Sequence, residues 1–258
     1  MLSEERRAKT IEMLKERNFL KVSELIDEFG VSHETVRRDL EELHGLGILK
    51  RVHGGAVYTA KGVDPTVSSA HSSYSVENQV VASYAASMVK PGMIIYIDNG
   101  RTMTNLASRL KEIPNLTIVT PNLQVVLELA GCSGIDLYLL SGKVDMDEFC
   151  TCGKSAEKSF EMYNVEYAFM SCGGLDLSTG NINDLDDFGL SRHVIRKHSD
   201  KLVLVLSSGK LNKKYLANLA NLRSVDTVII DSNISEEDEE LLRGYVQDVV
   251  VVPMDQQS

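Results

Sequence analysis

The chain has 258 residues, of which 43% are hydrophobic and 25% are charged, a composition ordinary for soluble globular proteins. Its length exceeds that of a typical single domain, so we expect two domains, with one sizeable core in the larger. No apolar run approaches the roughly 20 residues that span a bilayer. The first ten residues, MLSEERRAKT, also lack the apolar core of a secretion signal. We therefore predict a cytoplasmic protein that does not bind a membrane.

The cysteines are not arranged as metal ligands. They are Cys132, Cys150, Cys152 and Cys172, and no two of them form a C-x-x-C pair. Structural zinc sites usually take their ligands in pairs at recurrent spacings. We therefore predict reduced, partly buried thiols, no metal site and no bound cofactor.

The formal net charge of −10 is unevenly distributed along the chain. Residues 1–61 carry eleven Lys and Arg against eleven Asp and Glu, whereas residues 62–258 carry sixteen against twenty-six. All the excess negative charge therefore belongs to the second part. Contacts to nucleic-acid phosphates depend on local charge, so an acidic remainder weakens non-specific DNA binding without excluding specific binding.

The first 57 residues predict three helices followed by a short β-ribbon. The helices run from Ser3 to about Arg17, from Ser23 to Gly30 and from His33 to about His44, with Ala8, Ile11, Leu14, Leu25, Ile26, Phe29, Val36, Leu40 and Leu43 facing inward. In the third helix the apolar positions recur at i, i+4 and i+7, so one face is buried and the other is exposed. Residues 48–56, ILKRVHGGA, have the alternation and the glycines of a wing.

Two helices joined by a tight glycine turn are typical of a helix-turn-helix, whose second helix reads base edges in the major groove. Arginine can contact guanine with two hydrogen bonds, and basic side chains of a wing suit backbone phosphates. For an isolated arginine pair, a solvated amphipathic helix is the alternative, but it does not explain the ordered set of elements. The predicted DNA contacts are Ser32, His33, Thr35, Arg37 and Arg38 on the third helix, and Lys50, Arg51 and His53 on the wing.

Residues 58–75 are rich in Ser, Thr and Gly, contain Pro65 and show little apolar pattern, which predicts a linker. From residue 76 to residue 252, short β-branched runs alternate with helical segments. Such alternation predicts a doubly wound, largely parallel α/β sheet that helices cover on both faces. The predicted organisation is thus a winged helix-turn-helix over 1–57, a linker over 58–75 and an α/β domain over 76–258.

Ligands of such sheets bind beyond the carboxyl ends of the strands, in the loops that lead into helices. The first such loop is Asp98-Asn99-Gly100-Arg101-Thr102, which opens a predicted helix at Thr102. A helix N-terminus favours an anion, Gly100 permits close approach, and Arg101 can add a charged hydrogen bond. A capped helix with a surface arginine is the alternative. Gly142 and Lys143 follow a later strand, where a phosphate contact and a simple turn both fit.

The segment VSHETVRRDLEELHGLGILKRVHGGA closely resembles the N-terminal signature of the DeoR family of sugar-metabolism repressors, and the match extends over residues 3–57. Residues 76–252 resemble, more loosely, the family's sensor domain, which is similar in fold to ribose-5-phosphate isomerase. The resemblance implies a regulator that binds a double-stranded DNA operator and senses a phosphorylated sugar.

The family pattern D-S-G-T-T is matched at Asp98, Gly100 and Thr102, whereas Asn99 and Arg101 depart from it. We infer that Arg101 gives a second contact to the effector's phosphate, or to the carboxylate of a phosphorylated sugar acid. The resemblance also implies effector contacts at Thr120, Asn122, Gly173, Asp176, Asp187 and Lys210.

Several acidic positions of the family pattern are changed. Gly173 replaces the first Asp of G-A-D-G-I-D, and Ser207 replaces the Asp of D-S-S-K. The family helix that carries a Glu and a Lys corresponds to residues 184–192, where Asp187 and Arg192 are imperfect substitutes. These changes indicate an unusual effector.

We predict a transcriptional repressor of carbohydrate genes that has no catalytic residues and acts as a homo-oligomer, either a dimer or a tetramer. One alternative is an enzyme similar to sugar-phosphate isomerases with an attached DNA-binding segment, in which Asp98, Asp176 and Asp187 supply carboxylates. The missing acids weigh against that alternative. Another is an oligomerisation module without a ligand.

Overall fold

The computed structural model describes residues 3–17, 19–45, 48–52, 55–58, 75–184 and 190–254. The chain divides into two compact units, Met1–Ser72 and Ser73–Ser258. Most of the predicted linker lies outside the described residues, so the three domain ranges stay predictions. Within the described ranges no helix is long and apolar enough to cross a membrane, and no cluster of His, Cys, Asp or Glu could hold a metal ion.

The first unit has the element order of a winged helix-turn-helix. Its elements are α1 (Ser3–Arg17), β1 (Phe19–Lys21), α2 (Val22–Phe29), α3 (His33–Gly45), β2 (Leu49–Val52) and β3 (Gly55–Tyr58). The strands form an antiparallel sheet in the order β1-β3-β2. The three predicted helices and the ribbon are confirmed, with helix ends within one residue. The sequence pattern does not predict β1, because three residues between two helices are too few to show a period.

Two glycines are required by the backbone of this unit. Gly30 has φ of 62° and donates its N–H to the carbonyl oxygen of Ile26 at 2.9 Å, which ends α2 and makes the turn. At Gly55 a Cβ atom would lie 2.4 Å from the carbonyl oxygen of Leu20 and 2.7 Å from the ring of Phe19. Because β1 approaches β3 this closely, no larger residue fits at Gly55.

The interior of the first unit contains a small apolar core and one ion pair. The buried core residues are Leu14, Leu20, Leu25, Val36, Leu40, Leu43, Leu49 and Ala56. Of the predicted inward residues Ile11, Ile26 and Phe29 are half-buried, and Ala8 is exposed. Arg6 Nε lies 2.7 Å from Asp39 Oδ2, and both side chains are about nine-tenths buried. This pair ties α1 to α3.

Breaking the Arg6–Asp39 pair should destabilise the first unit strongly. Asp39→Ala removes the buried carboxylate that pairs with the Arg6 guanidinium, so we expect a loss of about 3–5 kcal/mol in the free energy of unfolding. The exposed Lys9–Glu28 pair, with an N–O distance of 2.7 Å, provides the control. Glu28→Ala should cost less than about 1 kcal/mol. Calorimetric unfolding of the full chain measures both variants, and equal losses would contradict the role given to burial.

The second unit is built on a parallel sheet. Its strands are β4 (Ile94–Ile97), β5 (Leu116–Thr120), β6 (Ile135–Leu139), β9 (Val165–Met170), β12 (Ser199–Val205), β14 (Thr227–Asp231) and β15 (Asp248–Val252). They lie in the order β15-β14-β12-β9-β4-β5-β6, and every neighbouring pair is parallel. The predicted doubly wound α/β fold is therefore confirmed.

Helices cover both faces of this sheet. They are α4 (Val76–Ser87), α5 (Arg101–Ser108), α6 (Leu123–Leu129), α7 (Lys154–Phe160), α8 (Arg192–Lys197) and α9 (Glu236–Tyr245). Apolar residues of α4, α5 and α6 belong to one core cluster, and those of α7, α8 and α9 belong to the other. Along β4, Ile95 and Ile97 enter the first cluster and Tyr96 the second, because successive side chains of a strand point to opposite faces.

Shorter strands lie outside the main sheet. β7 (Lys143–Asp145) and β8 (Cys150–Cys152) form an antiparallel hairpin, and β10 (Gly174–Asp176), β11 (Asn181–Asp184) and β13 (Ala217–Asn221) form a small antiparallel sheet. The helix predicted over residues 184–192 is wrong at both of its described ends. Asp184 is the last residue of strand β11, and Arg192 is only the first residue of helix α8. The reason is non-local, since Asp184 pairs with Ala217 of β13.

Candidate functional site

The outer face of α3 presents polar side chains, as its helical period predicts. Ser32, His33, Arg37 and Arg38 are exposed, and Thr35 is half-buried. Ser32 Oγ accepts a hydrogen bond from the backbone N–H of Thr35 at 3.2 Å, so this hydroxyl caps the start of the helix. The opposite face packs into the core of the unit.

Acidic side chains hold the arginines of this surface. Glu41 Oε1 accepts from Arg37 Nε at 3.2 Å and from Arg51 Nη1 at 2.7 Å, and Arg38 Nε lies 3.8 Å from Glu34. Lys50 and Arg51 both lie on β2, next to β3 of the wing. The predicted contact His53 lies outside the described residues. The structure thus brings the helix arginine Arg37 and the wing arginine Arg51 to one carboxylate.

The order of the parallel sheet locates the candidate effector site. From β4 the chain continues to β5 and β6 on one side, whereas β9 leads to β12, β14 and β15 on the other. The neighbouring strands β4 and β9 therefore form a topological switch point, where ligands of open α/β sheets bind beyond the carboxyl ends. The loops that meet there are residues 98–100, 171–173 and 206–210.

The loop after β4 presents an open helix N-terminus. Helix α5 begins at Arg101, one residue earlier than predicted, and Gly100 precedes it with φ of 111°. A Cβ atom at Gly100 would meet no other atom within 4 Å, so the backbone is accessible to a ligand. Arg101 is exposed. Thr102 is buried, and its hydroxyl donates to Asn78 Oδ1 at 3.3 Å, away from the loop.

Asp98 is buried beneath this loop in a hydrogen-bonded ion pair. Its Oδ1 accepts from the hydroxyl of Tyr96 at 2.8 Å, and its Oδ2 lies 3.0 Å from Arg192 Nη1. Burial, together with the negative charge of Asp98, raises the pKa of Tyr96 well above its ordinary value. Asn99, next along the loop, is half-buried. Because both oxygens of Asp98 are engaged, its carboxylate is poorly suited to act as the base of an isomerase.

Lys210 brings a second cation to the switch point. Its Nζ donates to Ser171 Oγ at 3.0 Å, and it belongs to a turn that Asp231 holds by accepting from the backbone N–H of Ser208 at 2.7 Å. Burial lowers the pKa of Lys210, and the positive charge of Arg101 lowers it further. The Cys172 thiol is buried as well, and its burial raises its pKa to about 11. Arg101 and Lys210 thus both bring positive charge to the loops at this edge of the sheet.

A carboxylate that the sequence pattern does not reveal lies against Gly173. A Cβ atom at Gly173 would be 2.6 Å from Asp184 Oδ1, so the side chain of Asp184 occupies the space that a residue 173 side chain would need. Asp184 of β11 therefore places a carboxylate beside residue 173, where the family pattern has an acid. The negative charge of Asp184 also raises the pKa of Lys210, opposing the effect of burial. Only the pairing of β11 could have revealed this contact.

The other predicted effector residues have partners within the protein. Thr120 is buried and donates its hydroxyl to the carbonyl oxygen of Ile97 at 2.7 Å, and Asn122 Oδ1 caps α6 by accepting from the N–H of Gln124 at 2.8 Å. Both residues fix the neighbouring strand-to-helix connection.

The predicted residues of the β7 and β10 regions are also placed. A Cβ atom at Gly142 would lie 2.7 Å from the carbonyl oxygen of Cys152, and Lys143 is exposed on β7. Asp176 is buried at the end of β10, where hydrogen bonds from Ser178 and Lys214 hold its pKa well below the ordinary value. Asp187 lies outside the described residues. These effector assignments stay predictions.

Two family profiles match the chain. The DeoR-like helix-turn-helix domain matches residues 6–61, and the DeoR C terminal sensor domain matches residues 74–232. The chain belongs to the DeoR family. This member is accordingly a DNA-binding transcriptional regulator, and the prediction that it is not an enzyme agrees with its family.

Relatives of this DeoR-family protein match over nearly the whole chain. It is 31% identical to the HTH-type transcriptional regulator YulB of Bacillus subtilis, with 98% of each chain covered. It is 26% identical to the glycerol-3-phosphate regulon repressor of Escherichia coli, covering 86% of this chain and 88% of that protein. Among solved structures, ribose 5-phosphate isomerase A from Methanocaldococcus jannaschii is 17% identical, with a TM-score of 0.37 over 52% of this chain and 53% of that chain.

The contact between Gly173 and Asp184 can be tested by overpacking. Gly173→Ala places a methyl group on the carboxylate, so we expect a loss of about 1–3 kcal/mol in the free energy of unfolding. Gly209→Ala is the control, because a Cβ atom there would meet no atom within 4 Å. Urea denaturation of both variants and of Gly173→Ala in an Asp184→Gly background measures the coupling. Additive losses in the double variant would contradict the contact.

Proposed function

We propose that this regulator represses genes of carbohydrate metabolism and is controlled by a phosphorylated sugar or a related metabolite. Its relatives include proteins named as the repressor of the glycerol-3-phosphate regulon in Escherichia coli and the repressor AccR in Agrobacterium fabrum. The partners are a double-stranded DNA operator and the effector. The protein works in the cytoplasm as a homo-oligomer, a dimer or a tetramer, because paired helix-turn-helix units read two half-sites.

One observation supports the effector site above the others: an open helix N-terminus and two cations meet at the β4–β9 switch point. The N–H groups at Gly100 and the dipole of α5 favour a phosphate, and Arg101 and Lys210 add positive charge. An anion bound between Arg101 and Lys210 would relieve their mutual repulsion. Asp184 supplies an acceptor for sugar hydroxyl groups.

The DNA surface is proposed to consist of the outer face of α3 and the wing. Arg37 and Arg38 are exposed there, with charged donors that suit guanine edges. Lys50 and Arg51 on β2 suit phosphates, which fix the position of the protein without reading sequence.

Variants of α3 and of the wing should separate base reading from phosphate contact. Arg38→Ala should cost about 1–3 kcal/mol in operator binding and relax the preference at one base pair. Lys50→Ala should weaken binding to all sequences alike and reduce the salt dependence by about one phosphate contact. Anisotropy titrations on an operator duplex and on a random duplex measure both. An unchanged operator affinity for Arg37→Ala and for Arg38→Ala would reject α3 as the reading helix.

Arg101 should contribute directly to effector affinity. Arg101→Thr removes a charged hydrogen bond, so effector binding should weaken by roughly 1.5–3 kcal/mol while DNA affinity without effector stays unchanged. A thermal-shift screen of pentose, hexose and sugar-acid phosphates identifies the effector, because a ligand of the native state raises stability. Calorimetric titration then compares the wild type with Arg101→Thr.

Arg243→Thr is the matched control, since Arg243 is paired with Glu239 on α9, outside the candidate site. Its effector affinity should equal that of the wild type. If Arg101→Thr also binds as the wild type does, the proposed phosphate contacts reduce to Gly100 and the backbone N–H groups at the N-terminus of α5.

A further inference from the structure

Glu41 connects the proposed reading helix to the wing. Its Oε1 atom accepts from Arg37 Nε, one turn earlier on α3, at 3.2 Å and from Arg51 Nη1 on β2 at 2.7 Å. The hydrogen bonds from Arg37 and then from Arg51 lower the pKa of Glu41, so the carboxylate is charged at neutral pH. A single acidic atom therefore binds two cations of the proposed DNA surface.

The three side chains contribute little to folding. Arg37 is 52% exposed, Glu41 is 46% exposed and Arg51 is 38% exposed, and ion pairs this open to solvent add little stability. Glu41 also places a negative charge on a surface that must approach a polyanion. Its effect is therefore expected in DNA binding rather than in the stability of the unit.

We propose that Glu41 restricts non-specific DNA binding by tying Arg37 and Arg51 to one carboxylate. Phosphates are found on every duplex, so positive charge that no nearby anion offsets strengthens binding to arbitrary DNA. Glu41 occupies one donor of each guanidinium, Nε of Arg37 and Nη1 of Arg51, and offsets part of their positive charge, so each arginine gains less from an arbitrary phosphate than an unpaired arginine would. On the operator, the same hydrogen bonds hold Arg37 at a fixed angle to the base edges.

This inference rests on the proposed DNA surface. It concerns specificity, which is the ratio of the affinity for the operator to the affinity for random DNA. Removing the charge of Glu41 should favour random DNA more than the operator, because free arginines add phosphate contacts on any sequence. Without the carboxylate Arg37 also moves more freely, and this freedom does not strengthen its contact with a base edge. Glu41 is thus a positioning residue that discriminates against wrong sequences.

The test uses Glu41→Gln in the full-length protein, since glutamine keeps the shape of the side chain and removes its charge. Anisotropy titrations on a random-sequence duplex over a salt series give the slope of log affinity against log salt. We expect the slope to steepen by about 1–2, because each phosphate newly neutralised contributes about 0.9. On a duplex that the wild type selects from a random library, the affinity should rise less. The ratio of operator to random affinity should fall about tenfold.

Glu34→Gln is the matched control. It removes the same charge from α3, but the contact of Glu34 to Arg38 is 3.8 Å long. For Glu34→Gln, the slope of log affinity against log salt on random DNA should change by less than half as much as for Glu41→Gln. In an Arg37→Gln/Arg51→Gln background, Glu41→Gln should leave the slope unchanged, and the melting temperature of Glu41→Gln should equal that of the wild type.

Equal slopes for Glu41→Gln and Glu34→Gln would overturn the proposal, because the change in salt dependence would then come from the net charge alone. A Glu41→Gln effect that persists without the two arginines would also overturn it. If the wild type bound neither duplex, the proposed DNA surface would fail together with the inference. If Arg38→Ala loses operator binding while Glu41→Gln keeps the wild-type ratio, the surface stands and the role of Glu41 alone is rejected.

Discussion

The parallel pairing of β4 with β9 is the constraint on which the sensor unit depends. It joins strands that are about seventy residues apart, Ile95 beside Tyr167 and Ile97 beside Phe169, and it continues into the loop, where the N–H of Asp98 donates to the carbonyl oxygen of Phe169 at 3.0 Å. Since the sheet extends from this pair in opposite directions, β4 and β9 form the switch point beyond which ligands of open α/β sheets bind. The location of the proposed site thus follows from backbone hydrogen bonding.

The charged groups beyond β4 and β9 are of two kinds, a buried ion pair and cations nearer the surface. Asp98 and Arg192 compensate each other beneath the loop, with side chains 2% and 7% exposed, and removing either would leave an unpaired buried charge. Arg101 is exposed at the first turn of α5, and Lys210 is held through Ser171 and its own turn. The buried pair therefore supports the loop, while Arg101 and Lys210 provide the positive charge of the proposed effector site.

The sequence predicts most of this architecture and only part of the site. Helical period identified α3 and its exposed arginines, and alternating apolar runs identified the parallel sheet, because both signals are local. The small sheet of β10, β11 and β13 escapes such reasoning, since β11 pairs with a strand more than thirty residues later. The local pattern consequently places Asp184 in a helix and indicates that an acid is lost at Gly173. The long-range pairing of β11 with β13 instead places the carboxylate of Asp184 beside Gly173.

Coupling between the effector and DNA requires that the effector bind two states of the protein with different affinity. The described contacts indicate where such a difference arises. Asp98, Thr102, Thr120 and Asn122 already have partners inside the protein, so a ligand gains little by displacing them. Arg101 and Lys210, by contrast, carry like charges near the same loops, and the proposed phosphate would offset both. In the proposed site, a state that presents both cations to the phosphate therefore binds it more tightly than a state that presents only one.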